Sequence, residues 1–131
     1  DSVSFFVEAN NQIDTETLKS LAKTLSPKVY EATSEQRMYL HMAAVFACNF
    51  TNHMYALSAH MLKKHGLPFE SMLPLIDETA RKVHELQPLE AQTGPAVRRD
   101  VNVMNKHLEM LVEEPKIRNI YKIISDNIQD L

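Results

Sequence analysis

Glycine is the scarcest informative residue in this chain of 131: there are two, Gly66 and Gly94, where an average protein of this length would have about nine at a usage of about 7%. Backbone positions with φ > 0 must therefore be few. Tight hairpins and glycine-rich phosphate loops are scarce, which argues against an all-β fold and against a complete dinucleotide-binding fingerprint. Tryptophan is absent and there is one cysteine, Cys48. That excludes a disulfide framework and a cysteine metal cluster, and suits a reducing, cytoplasmic setting. Basic excess is also missing. The net charge is −3 and no basic stripe runs along any segment, so neither nucleic acid nor an anionic membrane has an electrostatic footprint here. The longest unbroken apolar run, Met42 to Cys48, has seven residues, far short of the roughly 20 that a spanning helix needs. No signal-peptide pattern opens the chain, and Asp1 in place of methionine is expected to mark a fragment or a processed product.

What is present is mostly helical patterning. Val3 to Ala9 reads as a strand closed by Asn10-Asn11. Asp14 is expected to cap a helix carrying Leu18, Leu21, Ala22 and Leu25, and Pro27 ends that segment. Lys28 to Ala32 reads as a second short strand. One strand–helix–strand unit cannot stand alone as a sheet in water, so a partner chain or an absent domain should complete it.

From Thr33 the pattern changes. Thr33 and Gln36 have capping-box spacing, and nothing breaks the chain until Gly66. That predicts a helix of about 32 residues, roughly 48 Å long. Its centre, Met42 to Cys48, is apolar all round and must be covered on every side. The small residues Ala43, Ala44, Ala47 and Cys48 would admit a second helix closely, so the helix is expected to run through a dimer core. Cys48 is expected to pack in that core rather than to act as a nucleophile. Further helices are expected over Pro68–Leu86 (broken or kinked near Pro74), from Asp100 to about Glu114, and from Lys116 to Gln129. Gln87 to Arg99 is the one extended irregular stretch.

Six histidines invite a metal reading, but no H-E-x-x-H occurs and no glutamate stands three residues before a histidine, so no metal site is expected. Asn49, following the apolar run, would lose roughly 1–3 kcal/mol if buried without partners. It could orient a substrate or bond across a helix interface. His41 could serve as a general acid or base, or be an ordinary structural histidine. The stretch from Gln92 to Asp100 is the best candidate loop: Gly94 gives backbone freedom, Thr93 a hydroxyl, and Arg98 and Arg99 place two guanidinium groups beside a helix start, a setting that favours anions. Asp100 could instead pair with one of the arginines while capping the helix.

Glu35 to Phe50 (EQRMYLHMAAVFACNF), Pro88 with Thr93-Gly94-Pro95, then Arg98, Asp100 and His107 resemble the helical C-terminal domain, of unknown function, of bacterial NADP-binding oxidoreductases with a Rossmann-like N-terminal domain. The resemblance covers essentially the whole chain. That family is in turn similar to deazaflavin-dependent NADP reductases, pyrroline-5-carboxylate reductase and the 6-phosphogluconate dehydrogenase group. The resemblance implies that residues 1–33 are a βαβ remnant completing an absent Rossmann-like sheet, and that 34–131 form a helical dimerisation and substrate domain. It implies a homodimer, a small-molecule substrate, and NADP or NAD in the full-length protein, with none bound by this part alone. It also implies that His41, Asn49, Thr93, Gly94, Pro95, Arg98 and Asp100 line the cleft facing the missing half, with Arg98 recognising an anion, Asn49 and Thr93 orienting, and His41 transferring a proton. Two positions depart from the pattern: Cys48 stands where serine is usual, and Arg99 where glycine is often found. The competing reading is a non-catalytic helical interaction module.

Overall fold

The structure, a computed structural model, describes residues 3–131. It is mainly α, with a small parallel sheet near the start, as the composition and patterning led one to expect. The element order is β1 (Phe5–Val7), α1 (Gln12–Lys23), β2 (Val29–Glu31), α2 (Ser34–Ala44), a π turn (Val45–Phe50), α3 (Thr51–Lys64), a 3-10 turn (Phe69–Met72), α4 (Leu73–Glu85), α5 (Pro88–Ala91), α6 (Val101–Met110) and α7 (Pro115–Asp130). The chain packs as two units, Asp1–Ala56 and Leu57–Leu131. No helix is long and apolar enough to cross a membrane among the described residues.

In the first unit, β1 and β2 pair in parallel with Phe5 opposite Val29 and Val7 opposite Glu31. Both strands are shorter than their hydrophobic patterns. Helix α1 starts earlier than expected and is capped by Asn11, not Asp14. The Asn11 side chain accepts a hydrogen bond from the Asp14 N–H at 2.9 Å and donates to the Asp14 carboxylate at 2.8 Å. Both residue types cap well, and the extended backbone of Asn11 decides between them. Lys19 ties α1 to β2 through Glu31 at 2.6 Å. At the far end of β1, Glu8 accepts from the Ser34 N–H (2.9 Å) and the Ser34 hydroxyl (2.7 Å) and pairs with Arg37. Those bonds to Ser34, then the guanidinium, hold the Glu8 carboxyl below its usual range, as a carboxylate at a helix N-terminus should be.

The long helical segment begins where Thr33 and Gln36 form the expected capping box, with bonds of 2.8 and 3.2 Å. It stops at Gly66, which has φ +69°, with the Leu67 N–H reaching back to the Leu62 carbonyl at 3.0 Å, a left-handed C-terminal stop. Its interior holds a feature that the apolar spacing did not announce: from Val45 to Phe50 the backbone is a π turn. The Thr51 hydroxyl donates to the Phe46 carbonyl, five residues back, at 3.3 Å.

In the second unit, the helical stretch after Pro68 is broken near Pro74 as expected: a 3-10 turn ends at Met72 and α4 starts at Leu73 with Pro74 in its first turn, where proline's missing N–H has no partner anyway. The stretch from Gln87 to Arg99 is more ordered than expected, with the short α5 led by Pro88. Helices α6 and α7 form an antiparallel hairpin, with α6 ending at Met110 and Pro115 at the first turn of α7. Along the hairpin, Arg118 donates to the Leu108 carbonyl (3.1 Å), His107 Nδ1 meets the Tyr121 hydroxyl (2.9 Å) and Gln129 approaches the Met104 sulfur (3.6 Å). Between the helices, Glu114 is held by Lys64 at 2.6 Å and His60 at 3.0 Å. The Lys64 ammonium, then His60, depress its carboxyl to about 2.

Core is thin. Among the described residues the buried apolar side chains are Ala22, Ala32 and Ala96. The chain exposes 10539 Å², whereas a folded monomer of 15.0 kDa exposes roughly 7000 Å². Exposed apolar side chains include Met38, Tyr39, Met42, Phe46 and Phe50 on the long helical segment, in which no residue is buried. Cys48, expected to pack in a core shared with a second copy, and Asn49 are both exposed on this chain. Burial is a property of everything that packs on a position, and this chain alone does not supply it here.

Candidate functional site

The loop after α5 is built from its backbone outward. Gly94 takes φ +111°, a conformation that L side chains rarely adopt. Ala96, 5% exposed, anchors the turn, and its carbonyl accepts from the Arg99 N–H at 3.0 Å while the Pro95 carbonyl accepts from the Asp100 N–H at 2.9 Å. Asp100 caps α6 as expected, accepting from the Val103 N–H at 3.2 Å. It forms no ion pair with either arginine among the described residues, which removes the alternative role considered for it.

The two arginines part company. Arg99 donates to the Gln129 carbonyl at 3.2 Å, meeting an orphan acceptor in the last turn of α7. Arg98 has no hydrogen-bond or ion-pair partner among the described residues, whereas Arg37, Arg81, Arg99 and Arg118 are all engaged. An exposed guanidinium on the turn that leads into α6 is free to meet an anion.

Arg99 also sits at φ +51°, the one non-glycine residue in the left-handed region among those described. This conformation costs an L residue about 1–2 kcal/mol. It gives a physical reason for glycine to be favoured at that position. Arg99→Gly is therefore expected to leave the thermal midpoint unchanged or slightly raised despite losing the Gln129 bond, while Arg99→Val, β-branched, should lower stability by about 1–3 kcal/mol. Paired thermal melts decide it; equal midpoints for the two variants would count against strain at this turn.

His41 and Asn49 lie on the long helix, exposed and without side-chain hydrogen bonds among the described residues. They are eight residues apart, which in a regular α-helix leaves them about 80° apart. The wider π turn between them takes up an extra residue and brings them close to one face, with His53 on the same side. π turns inside helices recur at functional sites, and this one was invisible in the sequence because its signature is a backbone bond of i→i+5. Asn49 following an apolar run was the nearest signal. The structure thus gathers residues 93–100 into one turn and His41 with Asn49 onto one helix face; the two sets belong to different units. Among the described residues no three metal-ligating side chains cluster.

The βα turn between β1 and α1 does not fit a dinucleotide. Ala9-Asn10-Asn11 contains no glycine, and the α1 N-terminus is filled by Asn11 with the Asp14 carboxylate in the first turn. A phosphate there would meet a negative charge and an N–H already used.

Comparison with known proteins gives a consistent picture. Over 98% of its length the chain is similar, at 58% identity and a TM-score of 0.89, to a Bacteroides fragilis protein solved as a "putative NADP oxidoreductase". A protein of Thermotoga maritima matches 92% of the chain at 23% identity with a TM-score of 0.79, a likeness of fold. The chain spans about half of each, 49% in both cases. No curated protein matches it. The family model described as a domain of unknown function, DUF2520, matches residues 3–128, and the chain belongs to that family.

Proposed function

We propose that this chain is the C-terminal, dimerising and substrate-pocket half of an NADP-dependent oxidoreductase of the cytoplasm, akin to the deazaflavin-dependent NADP reductases, pyrroline-5-carboxylate reductase and the 6-phosphogluconate dehydrogenase group. The observation that carries it is the half-length match to the Bacteroides fragilis protein. The α1 N-terminus, closed to a phosphate, supports assigning the nucleotide to a Rossmann-like half that precedes residues 1–33, with the βαβ unit completing that half's sheet. Residues 34–131 then form the helical part. The bare apolar helix supports a homodimer, since a second copy would cover what this chain leaves open.

Within this reading the chain's own residues bind and orient a small substrate. Unpartnered Arg98 takes its anionic group. Thr93 offers a hydroxyl on the same turn, Gly94 and Pro95 set the loop's shape, and Asp100 holds the loop to α6; in the first unit, Asn49 offers an orienting amide on its own helix face. His41, exposed on the same face as Asn49, holds or releases a proton. The nucleotide, NADP in preference to NAD, stays with the other half.

Titration of NADPH into the longer polypeptide, followed by its fluorescence, tests the assignment. Saturable binding at micromolar concentration is expected there, with none for residues 1–131 alone. A longer polypeptide that binds neither NADPH nor NADH would favour the non-catalytic helical interaction module instead.

A further inference from the structure

The two strands of the sheet are not equivalent, and their differences say which edge is unfinished. The Phe5 N–H donates to the Lys28 carbonyl at 2.8 Å, and the Ala32 N–H donates to the Val7 carbonyl at 3.1 Å. Phe5 and Val7 thus spend their backbone groups on β2. Because those groups alternate along a strand, the N–H and C=O of Phe6 point to the opposite edge. Among the described residues nothing pairs with them. The β1 edge is Phe5-Phe6-Val7, with no charge to discourage pairing. β2 by contrast has Lys28 just before it and Glu31 within it, the type of residue that protects a true outer edge. Strands interior to a parallel sheet read as unbroken apolar runs and are covered on both faces. One face of this sheet is covered by α1, as the Lys19–Glu31 pair records. On the other, Phe6 and Tyr30 stack at 5.3 Å yet remain 39% and 50% exposed. They border an open groove of about 530 Å³ with Tyr39, Leu40 and Ala43.

We propose that β1 is an interior strand, and that its free edge takes a parallel strand from the half of the longer protein that this chain does not include. The Phe6–Tyr30 face is then covered by that same half. β2 stays the outer edge of the completed sheet. The occupant is argued from length: the structures that this chain matches continue for as much polypeptide again, and a two-stranded sheet does not persist alone. The inference rests on the reading that the other half contains a parallel sheet, but not on its binding a nucleotide.

Amide hydrogen exchange read residue by residue by NMR tests it, on residues 1–131 alone and on the longer polypeptide. The Phe6 amide is expected to exchange at least 100-fold more slowly in the longer protein, while the Val29 and Glu31 amides, at the outer edge of β2, stay fast in both. A Phe6 amide equally fast in both proteins would overturn the proposal, as would protection gained at Val29 and Glu31 instead. Phe6 protected in a longer protein that binds no NADPH would uphold this edge and sink the oxidoreductase reading. Phe6 unprotected in one that does bind it would do the reverse.

Discussion

At micromolar concentration the chain carrying Phe46→Asp is expected to sediment as a monomer, where the unaltered chain sediments as a dimer. Phe46 is 64% exposed and its aromatic neighbour is Phe50, edge-on at 5.0 Å, so one subunit gains little from it. If a second copy covers it, burying one phenylalanine contributes about 1.5–3 kcal/mol, and two-fold symmetry counts it twice. Losing both contributions weakens association by roughly two to four decades at 1.4 kcal/mol per decade. The aspartate adds an unpaired charge to the same interface. Ala44→Phe or Ala47→Phe should act in the same direction by overpacking the close approach. Sedimentation velocity with circular dichroism as a control for helix content reads the result. An unchanged dimer in all three variants would remove the helix from the interface.

The second large effect concerns Arg98. In the longer polypeptide, Arg98→Ala is expected to weaken saturation by an anionic substrate by about 10- to 150-fold, the equivalent of one charged hydrogen bond of about 1.5–3 kcal/mol. Inorganic phosphate or a small carboxylate can serve as the probe. The thermal midpoint should not move, because Arg98 bonds to nothing else in the described chain, unlike Arg99 with its Gln129 carbonyl. Arg98→Lys should recover part of the loss as a point charge without the fork. Unaltered saturation with alanine at this position would take Arg98 out of the site. A fall in midpoint equal to the loss in binding would make it structural.

What could be read from the sequence was what neighbouring residues decide among themselves. Thr33 with Gln36, Gly66, and Asp100 before α6 are local devices whose bonds close within a few residues, and the structure bears them out. The errors share a cause. Asn11 and Asp14 are both good caps, and only the backbone angle at Asn11 separates them. The π turn left no mark in the pattern of side chains, since Val45-Phe46-Ala47-Cys48-Asn49-Phe50 would serve an ordinary α-helix equally well. Of the candidate site, the turn at 93–100 was legible because Gly94 and Pro95 dictate it. That Arg98 rather than Arg99 is the free one required the left-handed backbone at Arg99 to be seen.

Residues spaced by four do not stay in line on an ordinary α-helix; each step overshoots a full revolution by about 40°, so such a row spirals away from any straight partner. Met38, Met42, Phe46, Phe50 and Met54 form such a row. Over Val45–Phe50 more than four residues complete a revolution, and a step of four falls short instead of overshooting. The drift accumulated on either side is thereby reduced, and the row winds less about the axis than it would on an unbroken α-helix. A single widened turn thereby does in part for a four-residue repeat what supercoiling does for a heptad.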